Sequence, residues 1–430
     1  MAGCDDRAAV TGRTDGRPVR DRSARRLPRI GVVLATAALL NSAAVGLGGT
    51  TALVYFVRHV RLDVMGAGIA LTVSQLIGIS CSIPMGFLID RVGGRRVLLV
   101  AGAVHAATTL GYLIVRDVGA YVVVTLTTTI AYQTAATARD ALVGWYVTGA
   151  ERTAERARIH VLSNVGIASG SLAGAVTLQV DSVTGYRFVF VLTAALLAAG
   201  AGVTVLLPAA PAALGGSRPR SAVVLRDPAF LLFALGNGLL AVHYGLFEIA
   251  LPLWVTEHTS APRWLVGFLM MVNTAVVISL QIAASRLASD SHRAARVLRA
   301  SGMLFLLGFW LLGLAGTRPV AVAVWLLILG TAIYSLGEIC HAAAGWTLSY
   351  DLAKDRLHGQ YQGLFNGLSN AGIALGPVVA GALILAHGVA GWVGVGAAMA
   401  LTAGVVPFCL ARPGGPTDRV AAPVRAHPAA

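Results

Sequence analysis

Charged side chains are scarce in this chain of 430 residues, where they account for only 12% of the composition. Soluble globular domains carry about 25% charged residues, so the chain has roughly half of the usual supply. Hydrophobic residues reach 56%, and the mean hydropathy is +0.75. The composition excludes an ordinary soluble domain and indicates a protein that is embedded in a lipid bilayer.

Cysteine is also rare, with four residues in the whole chain. Cys4 lies in the N-terminal region, and Cys81, Cys340 and Cys409 lie in apolar segments. None of them shows the paired spacing of zinc sites or redox motifs, so we interpret them as small apolar residues. We therefore predict no metal site.

Sequence signatures of common enzymes are missing as well. The chain contains no G-x-x-x-x-G-K-[ST] phosphate-binding loop, no G-x-S-x-G nucleophile elbow and no H-E-x-x-H zinc motif. ATP is therefore not expected as an energy source, and we predict neither an enzyme nor a cofactor. An ion gradient remains, and we favour a proton gradient.

The basic residues are almost all arginine, since Lys354 is the only lysine. The formal net charge of +14 would indicate nucleic-acid binding if it lay on one polar domain. Instead, the arginines lie between apolar runs and in the two tails, so we predict no nucleic-acid partner. The arginine bias is typical of a GC-rich bacterial genome, and we expect a multi-pass protein of the bacterial inner membrane.

Twelve apolar runs follow the first 29 residues, and each can supply the about 20 residues that span a bilayer core. The first six runs are 31–57, 65–89, 97–115, 119–147, 160–180 and 186–207. The last six are 229–256, 264–287, 297–316, 319–346, 360–386 and 389–411. The pattern predicts an all-α membrane protein with twelve transmembrane helices.

The two groups of six runs are separated by residues 208–228, which are rich in Pro, Gly and Arg and cannot bury themselves in lipid. The first 29 residues lack apolar periodicity, and we interpret them as a disordered basic tail and not as a cleavable signal. The predicted organisation is a tail at 1–29, a six-helix bundle at 30–207, a cytoplasmic linker at 208–228, a second six-helix bundle at 229–411 and a cytoplasmic tail at 412–430.

The two halves also resemble each other in sequence. The segment Ser163–Gly170 (SNVGIASG) matches Ser369–Gly376 (SNAGIALG), 206 residues later, and Gly144-Trp145 recurs as Gly345-Trp346. Two six-helix bundles related by a parallel repeat are an architecture of transporters, in which the substrate site lies near the midplane between the bundles. We therefore expect a small-molecule substrate.

A short glycine-rich loop joins the second and third runs and carries Arg91, Arg95 and Arg96. Short loops rich in arginine resist translocation, so this loop is predicted to be cytoplasmic. With both termini on the same side, the tails, the cytoplasmic loops and the adjoining ends of the runs hold 26 of the 33 basic residues. We expect Arg91 and Arg95 each to pair with a polar group across the loop.

This loop resembles a motif of the major facilitator superfamily, Gly-x-Leu-x-Asp-Arg-x-Gly-Arg-Lys-x-x-Leu. The matching residues are Gly86, Leu88, Asp90, Arg91, Gly93, Arg95 and Leu98. Gly94 stands where the family usually has arginine. The resemblance, which extends over about residues 30–411, implies alternating access. It also implies a cytoplasmic latch of the outward-facing state, centred on Asp90 and including Gly86, Arg91, Gly93 and Arg95.

The second half resembles the multidrug-exporter branch of that superfamily. The segments that carry this similarity are Ser335–Glu338, Asp351–Ala353 and Gly359–Gly363. The resemblance implies proton-coupled efflux of amphipathic small molecules. Drug antiporters of the family place a Gly-Pro pair in the fifth helix, whereas Ser171 follows Gly170 here.

Ionisable side chains inside the apolar runs are candidates for proton coupling, because a charge at the bilayer centre costs about 2.5–3.5 kcal/mol. The candidates are Arg139, Asp140, Glu248, Glu338 and His341. Glu338 and His341 are three residues apart and share a helix face. Glu338 is our first choice for the proton carrier, although a structural pair with Arg139 is an alternative. For Glu248, an interfacial position is an equal alternative.

Four further polar residues lie in the runs. We interpret His105 and His243 as packed core histidines, and we expect Asn41 and Gln75 to offer hydrogen bonds to a substrate. The leading hypothesis is a monomeric proton-driven exporter. The alternatives are a proton symporter for nutrient uptake, for which the cavity residues look too apolar, and a membrane receptor that does not transport.

Overall fold

The computed structural model describes residues 27–208, 223–354 and 357–410, and long helices dominate these ranges. The first six helices are α1 (Leu27–Arg58), α2 (Val64–Val92), α3 (Gly94–Gly111), α4 (Val118–Tyr146), α5 (Glu151–Val180) and α6 (Val183–Val203). The last six are α7 (Pro228–His258), α8 (Leu265–Leu287), α9 (Ser291–Ala315), α10 (Val320–Asp351), α11 (His358–Leu385) and α12 (Val389–Leu410). The predicted tails and most of the predicted linker lie outside the described residues.

Ten of these twelve helices are long and apolar enough to cross a membrane. The two that fall short, α3 and α4, contain too many polar residues. Helix α3 carries Arg95 and Arg96 in its first turn, and α4 carries threonines together with Arg139 and Asp140. The polar face of α4 indicates that this helix contacts something other than lipid.

Helix α5 is longer than its apolar run predicts. The run begins at residue 160, but the helix begins at Glu151. Three arginines in the first turns lower the local hydropathy, yet Thr153 and Ala157 are buried here. The predicted start was wrong because hydropathy scores a charged residue as a loop residue even where the protein itself buries that turn.

Glycines let two pairs of helices pack backbone to backbone. A Cβ on Gly166 or Gly170 of α5 would lie within 3 Å of backbone atoms of α1. A Cβ on Gly372 or Gly376 of α11 would meet the backbone of α7 in the same way. The α1–α5 and α7–α11 contacts therefore use the equivalent glycines of the two similar segments.

Helices α7 and α11 are each interrupted by a π-helical segment, at Leu246–Ala250 and Ala380–Leu385. Proline cannot donate a backbone hydrogen bond, and Pro252 and Pro377 lie close to the two segments. Extra residues in a helical turn re-aim the side chains there, and such segments are frequent at functional sites. The first one contains Glu248.

The first six helices meet the last six most closely at the end of the molecule that carries the α2–α3 loop, which we call the loop end. There, a Cβ on Gly86 of α2 would clash with the backbone of Gly359 of α11, and a Cβ on Gly363 would lie 2.6 Å from the carbonyl oxygen of Ser82. Towards the opposite end of the same helix pair, Met65 and Leu76 of α2 and Val378 of α11 are exposed. The two halves are thus joined at the loop end.

Candidate functional site

The centre of the loop-end junction is Asp90, on the last turn of α2. Its Oδ1 accepts a hydrogen bond from the backbone N–H of Gly359 at 2.7 Å, and its Oδ2 accepts one from Gln360 at 2.9 Å. Both N–H groups belong to the first turn of α11, where the helix dipole favours a negative charge. The Asp90 carboxylate therefore joins the two halves through two hydrogen bonds, one at each of its oxygen atoms.

The glycines of the loop have different structural roles. Gly86 allows the close approach of α11, and Gly93 has a φ of 100°, a conformation that side chains other than glycine rarely adopt. A Cβ on Gly94 would lie 2.6 Å from the ring of Trp145 and 3.1 Å from Leu142. Trp145 thus occupies the space that an arginine at position 94 would need.

The arginines of the loop do not pair across it. Arg95 donates from Nη2 to the carbonyl oxygen of Val205 at 2.7 Å, so it binds the carboxyl end of the α6 segment. In the described part of the chain, Arg91 has no side-chain partner. The expectation of an arginine pairing across the loop was therefore wrong, because the exposed carbonyls at a helix end attract the nearest cation.

A buried ionic cluster lies next to the junction. Asp140 of α4 is only 2% exposed and forms an ion pair with Arg156 of α5. Its Oδ2 accepts a hydrogen bond from Asn366 of α11 at 2.8 Å, and its backbone oxygen accepts one from the hydroxyl of Tyr350 at 3.1 Å. The guanidinium of Arg156 also lies 5.8 Å from the ring centre of Trp346.

A central cavity of about 370 Å³ opens above this cluster, between α4 and α5 on one side and α7, α10 and α11 on the other. Its lining is mixed, with four aromatic rings, four amides and six ionisable groups other than tyrosine. The residues in these classes are Tyr132, Gln133, Arg139, Asp140, Arg156, His160, Asn237, Tyr244, Glu248, His341, Trp346, Phe365, Asn366 and Asn370. The volume lies at the lower end of the range for small-molecule sites.

Four of the five predicted coupling residues line this cavity, namely Arg139, Asp140, Glu248 and His341. The Nε of Arg139 lies 3.9 Å from Oδ1 of Asp140, and this buried nitrogen has no hydrogen-bond partner within the described ranges. Glu248 likewise has no side-chain hydrogen bond to the residues described. Both groups are therefore available to a ligand.

Glu338 does not line the cavity. It is 6% exposed, and its Oε2 accepts a hydrogen bond from Nδ2 of Asn273 on α8 at 2.6 Å. The same amide nitrogen lies 3.0 Å from the hydroxyl of Ser335. The alternative of an ion pair between Glu338 and Arg139 does not fit this geometry, since Arg139 approaches Asp140 instead.

His341 belongs to a chain of hydrogen bonds that runs from the cavity into the second half. Its Nε2 lies 3.1 Å from Oδ1 of Asn237, and its Nδ1 lies 3.0 Å from Nε2 of His243. Nδ1 of His243 lies 2.9 Å from the hydroxyl of Tyr334. Because the amide nitrogen of Asn237 donates to Ser369, its oxygen faces His341 and accepts, which sets the direction of every other donor in the chain.

The other polar candidates lie elsewhere. His243 is more than a packed histidine, because it links His341 to Tyr334. Asn41 faces a small cavity of about 30 Å³ that it shares with Arg139. Gln75 and His105 line a second cavity of about 410 Å³, which is enclosed by α1, α2, α3, α4 and α6. Neither Asn41 nor Gln75 lines the central cavity.

Sequence reasoning missed several residues of the central cavity. The predicted runs place Arg156 in a loop and His160 at the start of a helix, although Arg156 is the ion-pair partner of Asp140. The amides Asn366 and Asn370 carry no charge and so gave no signal. A useful signal was present in the repeat, since Asn370 corresponds to Asn164 in the segment that we had matched.

Asp181 lies at the opposite end of the first six helices, where it joins the ends of α1, α5 and α6. Asp181 follows α5 and accepts hydrogen bonds from the hydroxyl of Tyr186 at 2.9 Å and from Arg58 at 2.7 Å, and His59 lies 3.2 Å away. The hydroxyl of Tyr186, followed by His59 and Arg58, lowers the pKa of Asp181. Among the described residues, no cluster of His, Cys, Asp and Glu could hold a metal ion.

The family model of the Major Facilitator Superfamily matches residues 34–366 and 233–429 of the chain. The chain is 23% identical over 352 residues to the uncharacterized MFS-type transporter YttB of Bacillus subtilis, covering 78% of this chain and 83% of that protein. It is 24% identical over 361 residues to the uncharacterized MFS-type transporter YdeE of Escherichia coli, covering 81% and 88%.

Solved structures show the same fold. The human organic anion transporter MFSD10 superposes with a TM-score of 0.69 at 16% identity, covering 89% of this chain and 99% of that one. The proton:xylose symporter XylE gives a TM-score of 0.69 at 12% identity, covering 92% and 98%. Because the family model matches more than half of its residues, the chain belongs to the Major Facilitator Superfamily, whose members are membrane transporters and not enzymes.

Proposed function

We propose that the chain is a proton-coupled exporter of amphipathic small molecules in the bacterial inner membrane. In this proposal two six-helix bundles, at 30–207 and 229–411, rock about a central cavity while the linker at 208–228 joins them. The observation that carries the proposal is a mixed polar and aromatic cavity between the two halves, closed at the loop end by Asp90 and the Asp140 cluster.

The sidedness of the proposal rests on the arginines of the short loops. The loop end carries Arg91, Arg95 and Arg96, and this charge favours the cytoplasmic side. Both termini then lie in the cytoplasm, and the described conformation is closed to the cytoplasm. Opening to the cytoplasm requires the Asp90 bonds to break and Asn366 to leave Asp140.

Glu338 is the proposed proton carrier. The buried Glu338 carboxylate has an amide as its partner and, among the described residues, no arginine or lysine. Its negative charge can therefore be neutralised only by a bound proton. Protonation would weaken the charge-assisted bond to Asn273 and loosen α8, which packs against α5 at the loop end. Glu248 is a second proposed proton site, since it faces the cavity directly.

Transport by purified protein in liposomes tests the proposal. We expect an imposed proton gradient to drive accumulation of dansylamide, a neutral two-ring dye with a polar sulfonamide group, and Glu338→Gln to abolish the dependence on the gradient. Glu257→Gln is the matched control, because Glu257 is exposed at the far end of α7. Wild-type rates for Glu338→Gln across pH 6 to 8 would remove Glu338 from the mechanism.

Uptake of a polar nutrient by proton symport is the second candidate, and one observation favours it. The cavity is more polar than the sequence predicted, since Gln133, Asn237, Asn366 and Asn370 all face it. The direction of movement separates the two candidates. A symporter accumulates substrate on the side to which protons flow, whereas an exporter moves it in the opposite direction. Binding of a ligand without any movement would favour the receptor alternative.

A further inference from the structure

The second cavity, which we call the side pocket, lies inside the first six helices. Its volume of about 410 Å³ exceeds that of the central cavity. Gly49, Leu53 and Gln75 are exposed and form its mouth, whereas His105, Phe190 and Thr193 are buried and form its floor. A pocket of this size accommodates two aromatic rings.

The side pocket is polar without being charged. Its lining contains no Asp, Glu, Lys or Arg, but it contains five threonines, four aromatic rings, Gln75 and His105. An uncharged lining does not repay the desolvation cost of an ionic ligand, whereas aromatic rings and hydroxyls favour a neutral one.

Two groups on the floor of the side pocket lack partners. Nδ1 of His105 and Oγ1 of Thr193 are buried and form no hydrogen bond within the described residues. By contrast, the hydroxyl of Thr109 donates to the backbone oxygen of His105 at 2.8 Å, and that of Thr125 accepts from Tyr112 at 3.3 Å. A buried polar atom without a partner is costly, so the two free groups mark a place where a ligand can bind.

Tyr132 lies between the two cavities and lines both of them. Its ring centre lies 5.9 Å from that of His105, in an edge-to-face arrangement. A molecule at Tyr132 can therefore place a polar end in the central cavity and an uncharged end in the side pocket.

We propose that the side pocket binds the uncharged aromatic part of the transported molecule, which carries a hydrogen-bonding group for His105 and Thr193. This assignment rests on the proposed transport function and specifies its substrate class. The cargo then has a neutral aromatic body of about two rings and a polar head that occupies the central cavity.

Photolabelling of the full-length protein in lipid nanodiscs tests the proposal without a gradient. Benzophenone is a neutral two-ring probe whose carbonyl accepts a hydrogen bond and, under ultraviolet light, inserts into nearby C–H bonds. We expect adducts on side-pocket residues such as Leu197 and Val45. Gly49→Leu should lower their yield by about fivefold, because a Cβ at Gly49 meets no atom within 4 Å and the leucine fills the pocket.

Gly68→Leu is the matched control. Gly68 is also helical with no atom within 4 Å of its Cβ position, but it lies on α2 outside the pocket. It should leave the labelling within about twofold of wild type, since it changes helix propensity equally. Equal labelling in both variants would overturn the proposal, because it would show that filling the mouth of the side pocket does not displace the probe.

Two competitors test the hydrogen bond. Diphenylmethanol should compete with benzophenone more strongly than diphenylmethane, and the combined variant His105→Leu with Thr193→Val should abolish the difference. An unchanged preference in that variant would remove both groups from the site. Labelling measures binding at equilibrium and does not require transport. If Gly49→Leu removes the labelling of the side pocket, the result therefore supports the pocket even when the liposome assay finds no transport. Transport without such labelling would reject the pocket alone.

Discussion

Asp90→Asn should shift the molecule towards a state that is open at the loop end. The carboxylate accepts bonds of 2.7 and 2.9 Å from the first turn of α11, and these bonds join the two halves. A hydrogen bond to a charged group contributes about 2 kcal/mol, and the retained neutral bond of an asparagine about 1 kcal/mol. The two charged bonds contribute about 4 kcal/mol together and asparagine retains about 1 kcal/mol, so the closed state loses about 3 kcal/mol.

A loss of that size changes the ratio of the two states by about a hundredfold. If the open state is populated at about 1% in the wild type, it rises to about half of the molecules. Spin labels at Glu151→Cys on α5 and His292→Cys on α9 report this change, since both residues are exposed at the loop end on opposite halves. The four native cysteines are first replaced by serine.

The control is Asp63→Asn. Asp63 accepts a bond of 2.7 Å from the backbone N–H of Gly66 and caps α2 at the opposite end, within one half of the molecule. We expect this variant to keep its stability within about 0.5 kcal/mol of wild type, because asparagine caps a helix about as well as aspartate, and to leave the spin-label distances unchanged. Identical distance distributions for Asp90→Asn and the wild type, at a pH where both fold, would refute the reasoning.

Three further variants test other contacts. Gly94→Arg should lower the free energy of unfolding by about 1–3 kcal/mol, because its Cβ lies 2.6 Å from Trp145, and adding Trp145→Ala should recover part of the loss in thermal melts. Arg156→Met should cost about 3–5 kcal/mol, because it leaves Asp140 buried, and Arg156→Met with Asp140→Asn should cost less than the sum of the single changes. Wild-type stability of Arg156→Met in denaturant would contradict this. Because the pKa of Asp181 is lowered, its contribution is full above pH 4 and is lost as the pH falls further. Asp181→Asn should therefore flatten the acid side of the stability profile, and an unchanged profile would remove this contribution.

The helices were largely predictable from hydropathy, because a lipid-facing helix must be apolar over about 20 residues. Prediction failed where the protein, and not lipid, covers a helix. Residues 151–159 of α5 are helical although three arginines lie among them, since Arg156 is neutralised by Asp140 of α4. Such a pairing joins positions that are far apart in sequence, and a local window cannot detect it.

The candidate site was predictable as a set of residues but not as a geometry. Glu338 and His341 share a face of α10, yet three residues correspond to about 300° of rotation, which leaves them about 60° apart. That difference directs Glu338 to Asn273 on α8 and His341 to His243 on α7. Spacing alone identifies a common face, whereas the neighbouring helices decide which of two adjacent residues reaches the cavity.

The two halves close the loop end with different kinds of contact, and this difference bears on how the loop end opens. In the first half, the Asp90 carboxylate binds the N-terminus of α11. The loop between α8 and α9 has the same place in the second half as the α2–α3 loop has in the first, and it carries Asp290. This residue instead caps its own helix, α9, by accepting a hydrogen bond from the backbone N–H of Arg293 at 2.9 Å. At the second junction, the hydroxyl of Thr347 lies 2.7 Å from that of Thr153, and Arg156 donates to the hydroxyl of Tyr350 at 3.4 Å.

A neutral hydrogen bond contributes about half as much as one to a charged group, and the Arg156–Tyr350 bond is long, so we expect the α5–α10 side to separate at a lower cost than the α2–α11 side. The weaker side is also the one that contains Glu338, because Asn273 on α8 holds its carboxylate. In the proposed mechanism, a proton at Glu338 acts on the junction that is easiest to open, whereas the Asp90 bonds limit how far the halves separate. On this proposal coupling and latching act on different helix pairs, so we expect that each can change without destroying the other.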